Sequence, residues 1–267
     1  MDELPAHQEH YTDKRIKHAQ LIWGTGFFSP GGPEEVARIV EDVDIIGKAV
    51  LDVGCGIGGP SLELVKTHGA KTVLGIDIEQ SVLKWAQQAA ETAGLRDSIS
   101  FKLVQPGPFP LEDSSFDVLF SKEALIEIAD KEALYAEILR VLKPGGWFVA
   151  SDWLKGDEPE SDPLRQLVEG APVGFSLISL KEAARELEIA GFIEVAVRNR
   201  NAWYREEARR ELAQIEGPMR LRLVELSGQE MTDKQAAFQR LKIAALDSGD
   251  FCPAHLKARK PHTPLSY

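Results

Sequence analysis

Cysteine is scarce in this sequence: its 267 residues contain two, Cys55 and Cys252. Small secreted domains that depend on disulfides carry many more, so a disulfide framework is not expected. The N-terminus reads Met-Asp-Glu-Leu-Pro-Ala-His and lacks both the basic and the apolar part of a secretion signal. Together these features predict a protein of a reducing, cytoplasmic setting.

Long apolar runs and an excess of positive charge are also missing. No run approaches the roughly 18 apolar residues of a membrane-spanning helix, so we expect no membrane partner. Lys and Arg number 31 against 42 Asp and Glu, which leaves a net charge of −11. That charge repels phosphate backbones and argues against a nucleic-acid partner, although scattered basic residues occur at 198–222.

Metal-ligand spacing is absent as well. The set formed by His255, His262 and Cys252 is too loose for zinc, so no metal is expected. Otherwise the composition is ordinary for a soluble globular protein, with 43% hydrophobic and 27% charged residues. The length fits one large domain, or a core of about 150 residues with appendages. A monomer or a homodimer is expected.

A glycine-dense turn is the most informative feature that is present. An apolar strand over residues 49–53 runs into the turn Gly-Cys-Gly-Ile-Gly-Gly-Pro of residues 54–60, and a helix starts at Ser61. Glycines let the backbone turn sharply and let a ligand approach, and the helix N-terminus offers free N–H groups. A second strand ends at Asp77, where a carboxylate is placed to bind the hydroxyls of a ribose. The pattern predicts a nucleoside site, whereas the turn alone is also compatible with an ordinary tight turn.

The spacing of the glycines distinguishes two classes of cofactor. Dinucleotide enzymes use G-x-G-x-x-G, but here Gly54, Gly56 and Gly58 alternate with other residues and Asp52 precedes them. The order resembles the D-x-G-x-G-x-G of class I S-adenosylmethionine-dependent methyltransferases. Two later segments, 113–120 and 138–150, resemble later motifs of that family in the right order. The resemblance implies S-adenosyl-L-methionine as cofactor and S-adenosyl-L-homocysteine as product.

Strand and helix patterns alternate through the middle of the chain, with strands at 49–53, 72–76, 99–103, 116–120 and 146–152. Such alternation predicts an α/β fold with a doubly wound, Rossmann-like methyltransferase sheet, which binds ligands at the carboxyl ends of its strands.

The chain divides into four predicted parts. Residues 1–47 form a helical N-terminal lid, and residues 48–154 form the S-adenosylmethionine-binding core. Residues 155–249 hold a helical insert over the active site, on the substrate side, and the final strands and helices of the same domain. Residues 250–267, rich in Pro, His and Lys, form a C-terminal tail that either docks or stays disordered. Within the third part we expect helices at 180–190, 203–227 and 233–246, and a strand at 193–197.

The N-terminal segment carries a closer resemblance. Residues 11–13, 22–24 and 28–32 resemble the lid of small phosphoethanolamine N-methyltransferases, and the match extends through 121–125, 176–179 and 202–204. Sarcosine and dimethylglycine methyltransferases share the core but not the lid. The resemblance implies that Tyr11 lies over the reacting centre and that Phe28 and Ser29 touch the cofactor.

The same resemblance assigns cofactor contacts in the core. It places Gly54 against the methionine part of the cofactor and Asp77 on the ribose. The other implied contacts are the turn residues Asp52, Cys55 and Gly56, the adenine-side residues Ile78, Gln105 and Pro106, and Lys122 near the methionine carboxylate. The family has an Asp where this chain has Gln105, whose carbonyl accepts the same hydrogen bond. From the sequence, Cys55 is more easily explained as a small packing residue than as a nucleophile.

On the substrate side the chain departs from the family. The family pairs a His with the lid tyrosine, and this chain has Glu127 there; Glu123 replaces the substrate-facing Asp. The family collects an Arg and tyrosines for phosphate before residue 176, but residues 170–175 read Gly-Ala-Pro-Val-Gly-Phe. A phosphate without cations or donors is poorly held, so we expect an acceptor without phosphate.

Two acidic residues are the predicted catalytic groups beside Tyr11. Methyl transfer from a sulfonium is an in-line displacement that needs alignment and a neutral amine. Glu123 and Glu127 lie four residues apart and share a face if their segment is helical. Close carboxylates raise each other's pKa, which suits proton acceptance, and they attract a cationic acceptor. Alternatively, Glu127 is a solvated residue paired with Lys122 or Lys131.

The expected function is N-methylation of a small amine that lacks phosphate. The alternatives are S- or O-methylation of a small metabolite, or a non-catalytic member that only binds the cofactor. The carboxylates argue mildly against a thiolate acceptor, and Tyr11 argues against a non-catalytic role. Trp153 is either an aromatic wall for a cation or a cap on the core.

Overall fold

One seven-stranded sheet organises the protein, whose computed structural model describes residues 11–171 and 174–262. In chain order the strands are β1 Ala49–Val53, β2 Thr72–Asp77, β3 Ile99–Leu103, β4 Phe116–Lys122, β5 Leu142–Asp152, β6 Ile193–Asn199 and β7 Ala254–Arg259. Their spatial order is β3-β2-β1-β4-β5-β7-β6, with β7 antiparallel to β5 and β6 and the first five strands parallel. The predicted doubly wound α/β sheet is confirmed.

The strand order reverses beside β1, which places a ligand crevice at its carboxyl end. β1 pairs with β2 on one side and with β4 on the other, so Val53 lies opposite both Ile76 and Ser121. Chain crossovers leave the sheet in opposite directions from this point and open a cleft between the following loops. The glycine turn, Asp77 and the residues after β4 therefore converge at one edge.

Helices cover both faces of this sheet. In chain order they are α1 Asp13–Trp23, α2 Gly32–Ile39, α3 Gly59–Lys66, α4 Gln80–Thr92, α5 Lys131–Val141, α6 Asp162–Glu169, α7 Leu180–Ile189, α8 Asn201–Glu216, α9 Arg220–Ser227 and α10 Gln229–Ser248. Successive residues of a strand point to opposite faces, so β1 serves two cores. Leu51 packs with the core that includes Ile138 of α5, and Val50 packs with the core that includes Leu64 of α3.

Two helix predictions have different outcomes. The predicted helix at 180–190 is confirmed, with Ser179 and Glu182 forming a capping box in which each side chain accepts from the other's backbone N–H. The single helix predicted over 203–227 is wrong, because α8 ends at Glu216 and α9 begins at Arg220. Gly217 and Pro218 lie between them, and proline lacks an N–H and clashes with the preceding turn.

Residues 254–259 of the predicted C-terminal tail form the strand β7, which was not predicted from the sequence. This strand lies inside the sheet between β5 and β6, and its Leu256 and Ala258 are buried. Its apolar residues alternate with His255, Lys257 and Arg259, as expected for a strand, but the segment is short and Pro, His and Lys residues surround it. Residues 263–267 lie outside the described residues, as do residues 1–10 of the predicted lid.

The lid segment after residue 10 consists of α1, α2 and the loop between them. Thr12 caps α1 by accepting from the Arg15 backbone N–H, and Asp13 accepts a hydrogen bond from Trp85 on α4 at 2.9 Å. α1 packs mainly on α9, and α2 packs on α3. In the described part of the chain, no helix combines the length and the apolar character needed to cross a membrane.

Candidate cofactor and acceptor site

Asp77 and the glycine turn are joined by backbone hydrogen bonds. The Gly56 N–H donates to Asp77 Oδ2 at 2.9 Å, and the Glu79 N–H donates to Oδ1 at 3.0 Å. Burial raises the pKa of Asp77, while these backbone donors lower it. The carboxylate thus stands at the end of β2 facing the turn, where the sequence places the ribose of the cofactor.

Glycine is required in the turn for two physical reasons. Gly54 and Gly56 have φ values of 69° and 51°, a left-handed conformation that side chains disfavour. A Cβ on Gly54 would lie 2.2 Å from the Cβ of Ala124, so the loop after β4 packs directly on the turn. The sequence pattern thus reflects a close backbone approach between two loops of the site.

Asp52, just before the glycine turn, and Cys55, within it, are both buried. The Ser61 hydroxyl donates to Asp52 Oδ2 at 2.6 Å, and burial raises the pKa of Asp52 to about 7. Burial, then the charges of Asp52 and Asp77, also raise the pKa of the Cys55 thiol. A buried, protonated thiol is a packing group and a poor nucleophile. The cofactor contact predicted for Asp52 stays a prediction.

The lid places two stacked aromatic rings on the turn. The rings of Tyr11 and Phe28 are 5.2 Å apart at 16°, and a Cβ on Gly56 would lie 3.2 Å from Phe28 Cδ2. Burial, then the negative charge of Glu127, raise the pKa of Tyr11. The structure therefore brings the lid tyrosine near Glu127, the position where the resemblance implies a paired His.

Lys122, the last residue of β4, reaches the loop of the lid. Its Nζ donates to Ser29 Oγ and, at 2.8 Å, to the Pro30 carbonyl oxygen. Burial lowers the pKa of Lys122, and the charges of Glu123 and Glu35 oppose that shift. Ser29 and Lys122, predicted separately as cofactor contacts, thus lie against each other.

The predicted adenine-side residues lie at the ends of β2 and β3. Ile78 directly follows β2 and is 37% exposed, a high value for a large apolar side chain. Gln105 and Pro106 are exposed beyond β3, and the neighbouring Val104 N–H donates to the Asp77 carbonyl oxygen at 3.0 Å. Their placement beside Asp77 suits an adenine ring, and their contacts stay a prediction.

Glu123 and Glu127 do not lie on one helix, so the condition under which they would share a face is not met. β4 runs to Lys122, Glu123 has a φ of 55°, and Leu125–Glu127 form a single 3₁₀ turn. The Glu123 side chain is 5% exposed, whereas Glu127 is exposed. A bend therefore separates the two carboxylates, and each faces its own surroundings.

Partners that the sequence did not indicate surround Glu123. The Tyr204 hydroxyl of α8 donates to Glu123 Oε1, and Trp153 Nε1 donates to Oε2 at 2.9 Å. The Trp153 ring contacts the rings of Phe175 and Phe251 edge-on, each at 5.2 Å. From the sequence, Trp153 is either an aromatic wall for a cation or a cap on the core, and Tyr204 appears only in the resemblance of residues 202–204.

A buried lysine lies behind Trp153. Lys242 of α10 has its Nζ 5.8 Å from the centre of the Trp153 ring and 3.1 Å from Glu211 Oε2. Glu211 also accepts from Trp23 Nε1 at 2.7 Å and from Gln239. Nothing in the sequence pattern signalled this pair, because its members are 31 residues apart on two different helices.

The glycine turn, the strand-end carboxylate and the switch of strand order define a class I methyltransferase. The comparisons agree: the model of the family described as "Methyltransferase domain" matches residues 46–199, which is more than half of the chain. The chain belongs to this family. The predicted membership of the S-adenosylmethionine-dependent methyltransferase family is thereby confirmed.

Individual relatives carry several names. Phosphoethanolamine N-methyltransferase 1 of Arabidopsis thaliana is 30% identical over 207 residues, which are 77% of this chain and 41% of that protein. Sterol 24-C-methyltransferase of Aspergillus fumigatus is 33% identical over 199 residues, 68% of this chain and 52% of that protein. The chain thus matches about half or less of these relatives' length.

Solved structures share the fold. Phosphoethanolamine N-methyltransferase 2 of Haemonchus contortus, in complex with phosphomonomethylethanolamine and S-adenosylhomocysteine, superimposes with a TM-score of 0.87 at 25% identity, covering 94% of this chain and 59% of that one. A putative sarcosine dimethylglycine methyltransferase of Galdieria sulphuraria has a TM-score of 0.82 at 18% identity, covering 94% and 98%. The latter similarity shows the fold alone.

Proposed function

We propose that this protein binds S-adenosylmethionine between the glycine turn and Asp77 and transfers its methyl group to a small amine without a phosphate. The cofactor part is supported by the convergence of Gly54, Gly56 and Asp77 at the switch point of the sheet. The complexes of the Haemonchus relative with S-adenosylmethionine and S-adenosylhomocysteine support it further.

Alignment and exclusion of water are the chemical tasks of such a site. A sulfonium transfers its methyl by in-line attack, so the nucleophile must lie on the axis of the carbon–sulfur bond. The stacked rings of Tyr11 and Phe28 cover the turn and keep water from the reactive methyl group. Tyr11 keeps its proton, since burial raises its pKa, and its hydroxyl is available as a hydrogen-bond donor.

A cationic or neutral amine suits the acceptor side. Glu123 supplies a buried carboxylate at the end of β4, and Trp153 with Phe175 supplies aromatic surface beside it. The amine must be neutral when it attacks, so it releases a proton. Glu127, exposed and close to Tyr11, is the proposed acceptor of that proton.

The buried cations near the site are each paired with a carboxylate, and this supports the proposal that the methyl acceptor lacks a phosphate. Among the described residues near the site, Lys122 lies 3.8 Å from Glu123, Lys242 lies 3.1 Å from Glu211, and Arg200 lies 3.0 Å from Glu35. A phosphate dianion would have to displace one of these carboxylates or stay uncompensated in a dry pocket, which costs several kcal/mol. The sequence of residues 170–175 adds no cation.

A second candidate is methylation of phosphoethanolamine. The names of the relatives favour it, and so does the place of Lys242, whose buried Nζ lies beside Trp153. A rearrangement that frees Lys242 from Glu211 would offer a phosphate one cation. The two candidates differ in the acceptor they require, so turnover separates them.

The deciding experiment measures methyl transfer from labelled S-adenosylmethionine to ethanolamine, sarcosine, dimethylglycine and phosphoethanolamine, together with one thiol and one phenol. We expect turnover of an amine without phosphate and at least tenfold lower kcat/KM for phosphoethanolamine. Glu123→Gln should lower kcat more than it weakens cofactor binding. Saturable methylation of phosphoethanolamine at micromolar KM would establish the second candidate, and turnover of the thiol or the phenol alone would contradict both.

A further inference from the structure

We propose that Tyr204 is a positioning residue, which fixes the carboxylate of Glu123 toward the acceptor and so tunes the site without touching the cofactor. The inference rests on the acceptor role proposed for Glu123. Tyr204 lies in the first turn of α8, 81 residues from Glu123 in the chain, and its side chain is 1% exposed. Its hydroxyl donates to Glu123 Oε1.

Glu123 needs such a partner because its backbone does not by itself hold the side chain in place. Its φ of 55° is a left-handed conformation, which is uncommon for a non-glycine residue and recurs at ligand sites. The Glu123 N–H donates to the Ser151 carbonyl oxygen at 2.7 Å and so anchors the main chain to β5. The carboxylate itself is buried, and the structure shows two side-chain donors to it, Tyr204 and Trp153.

The two oxygens of this carboxylate are fixed from two directions. Tyr204 donates to Oε1 from α8, and Trp153 donates to Oε2 from the end of β5. Because both carboxylate oxygens are held, their remaining lone pairs point in fixed directions. The amine that receives the methyl group therefore meets a carboxylate of defined orientation. Removing one donor lets the carboxylate rotate or turn toward Lys122, whose Nζ is 3.8 Å away.

Packing and backbone hydrogen bonds fix the position of Tyr204, so its hydroxyl can hold Glu123 in one orientation. Its ring packs edge-on against Trp203 at 4.7 Å, and its backbone N–H donates to the Arg200 carbonyl oxygen at 3.0 Å. The Arg200 guanidinium in turn binds the buried Glu35 of α2 at 3.0 Å. The start of α8 is thereby tied to the lid helix, and Glu123 is oriented from the same structure that holds the lid.

Tyr204→Phe removes the hydroxyl and keeps the ring. We expect kcat/KM for the preferred amine to fall about tenfold, the loss typical of a hydrogen bond to a charged group, while the Kd for S-adenosylmethionine stays within twofold. The matched control is Tyr135→Phe, which removes another buried tyrosine hydroxyl from a ring packed on Phe148 in the main core. It should leave both constants unchanged.

A double-mutant cycle separates positioning from a general structural role. Calorimetry in the presence of S-adenosylhomocysteine measures the Kd of the preferred amine for the wild type, Tyr204→Phe, Glu123→Gln and the double variant. If Tyr204 acts through Glu123, its loss weakens binding in the wild-type background and has little further effect in Glu123→Gln. Equal losses in both backgrounds would overturn the proposal.

A last measurement does not depend on any acceptor. The indole N–H of Trp153 donates to the same carboxylate, so its ¹⁵N–¹H resonance reports the orientation of Glu123; Trp153→Phe assigns it. Tyr204→Phe should shift this resonance and speed its exchange with solvent, whereas Tyr135→Phe should not. An unshifted resonance would contradict the positioning role, even if every amine in the panel proved inert and the proposed function failed.

Discussion

Lys122 at the end of β4 and Pro30 in the lid loop are joined by a hydrogen bond of 2.8 Å from the lysine Nζ to the proline carbonyl oxygen. The Lys122 side chain is 3% exposed, and its Nζ also donates to Ser29 Oγ. A buried ammonium costs free energy unless it is compensated, and Glu123 and Glu35 provide the opposite charge. One residue of the sheet thus holds the lid loop against the site, in addition to the packing of α1 and α2.

Replacing Lys122 with Met should release the lid loop while keeping the volume of the side chain. We expect at least tenfold weaker binding of S-adenosylmethionine by calorimetry, because the lid no longer closes over the site and charge-assisted hydrogen bonds to Ser29 and Pro30 are lost. Lys131→Met is the matched control, since Lys131 is also buried and donates to a backbone oxygen, that of Leu125, away from the lid. Equal losses of affinity in the two variants would show that Lys122 does not act on the lid.

Asp77→Ala should weaken S-adenosylmethionine at least tenfold without unfolding the protein. The carboxylate is the proposed ribose ligand, and charge-assisted hydrogen bonds contribute about 1.5–3 kcal/mol each. It also accepts from the Gly56 N–H at 2.9 Å, so the turn loses a contact that shapes it. Calorimetry measures the affinity, and thermal unfolding of the apo protein checks the fold. Affinity within twofold of the wild type would disprove the site.

The cofactor edge could be predicted from sequence because its determinants are local. The turn, the helix after it and Asp77 lie within about thirty residues. The sequence shows them as glycines where φ is positive, an apolar run before these glycines, and a carboxylate at the end of the next strand. The same holds for the capping box of Ser179 and Glu182, which is set by neighbouring backbone groups. Such features follow from residue type and spacing alone.

The acceptor side depends on contacts between distant parts of the chain, and these leave no periodic signal. Tyr204 meets Glu123 across 81 residues, and Lys242 meets Glu211 across two helices. The spacing of Glu123 and Glu127 is compatible with a helix and with a 3₁₀ turn alike. The backbone bend at Glu123 keeps the two side chains off a common helix face. β7 was not predicted because its six residues lie among Pro, His and Lys residues, a composition that is typical of a tail.

Truncation after Gly249 should abolish folding, although the removed segment has the composition of a tail. β7 pairs with β5 over six residues and joins β6 to the sheet, and Phe251 and Cys252 before it are buried. Its removal exposes two strand edges and the core around Leu256. We expect an insoluble or protease-sensitive product, whereas a chain ending at 262 should retain the thermal unfolding transition of the wild type. A soluble truncated chain with native circular dichroism would refute this role of β7.

Asp52 should make the apo protein less stable as the pH rises toward neutrality. Its pKa is raised from 3.8 to about 7 by burial, with Ser61 opposing the shift. Because the folded-state pKa lies above the unfolded one, the stabilising contribution of this group is complete below about pH 4 and is lost as the pH rises through about 7. Asp52→Asn keeps an acceptor oxygen for Ser61 and cannot ionise. Its melting temperature relative to the wild type should therefore rise by several degrees between about pH 5 and pH 8.

The matched control for that prediction is Asp117→Asn, for which the sign is opposite. Burial raises the pKa of Asp117, but hydrogen bonds from the Ala49 N–H and the Lys143 ammonium outweigh it and lower the pKa. A depressed carboxyl contributes stability above its unfolded pKa and loses it as the pH falls. Asp117→Asn should therefore lose more stability at pH 8 than near pH 4. Asp152, which is not among the causes of either pKa shift, titrates alike in variant and wild type and cancels in each difference. An Asp52→Asn difference that does not change with pH would show that Asp52 is ionised throughout the range and would contradict the raised pKa.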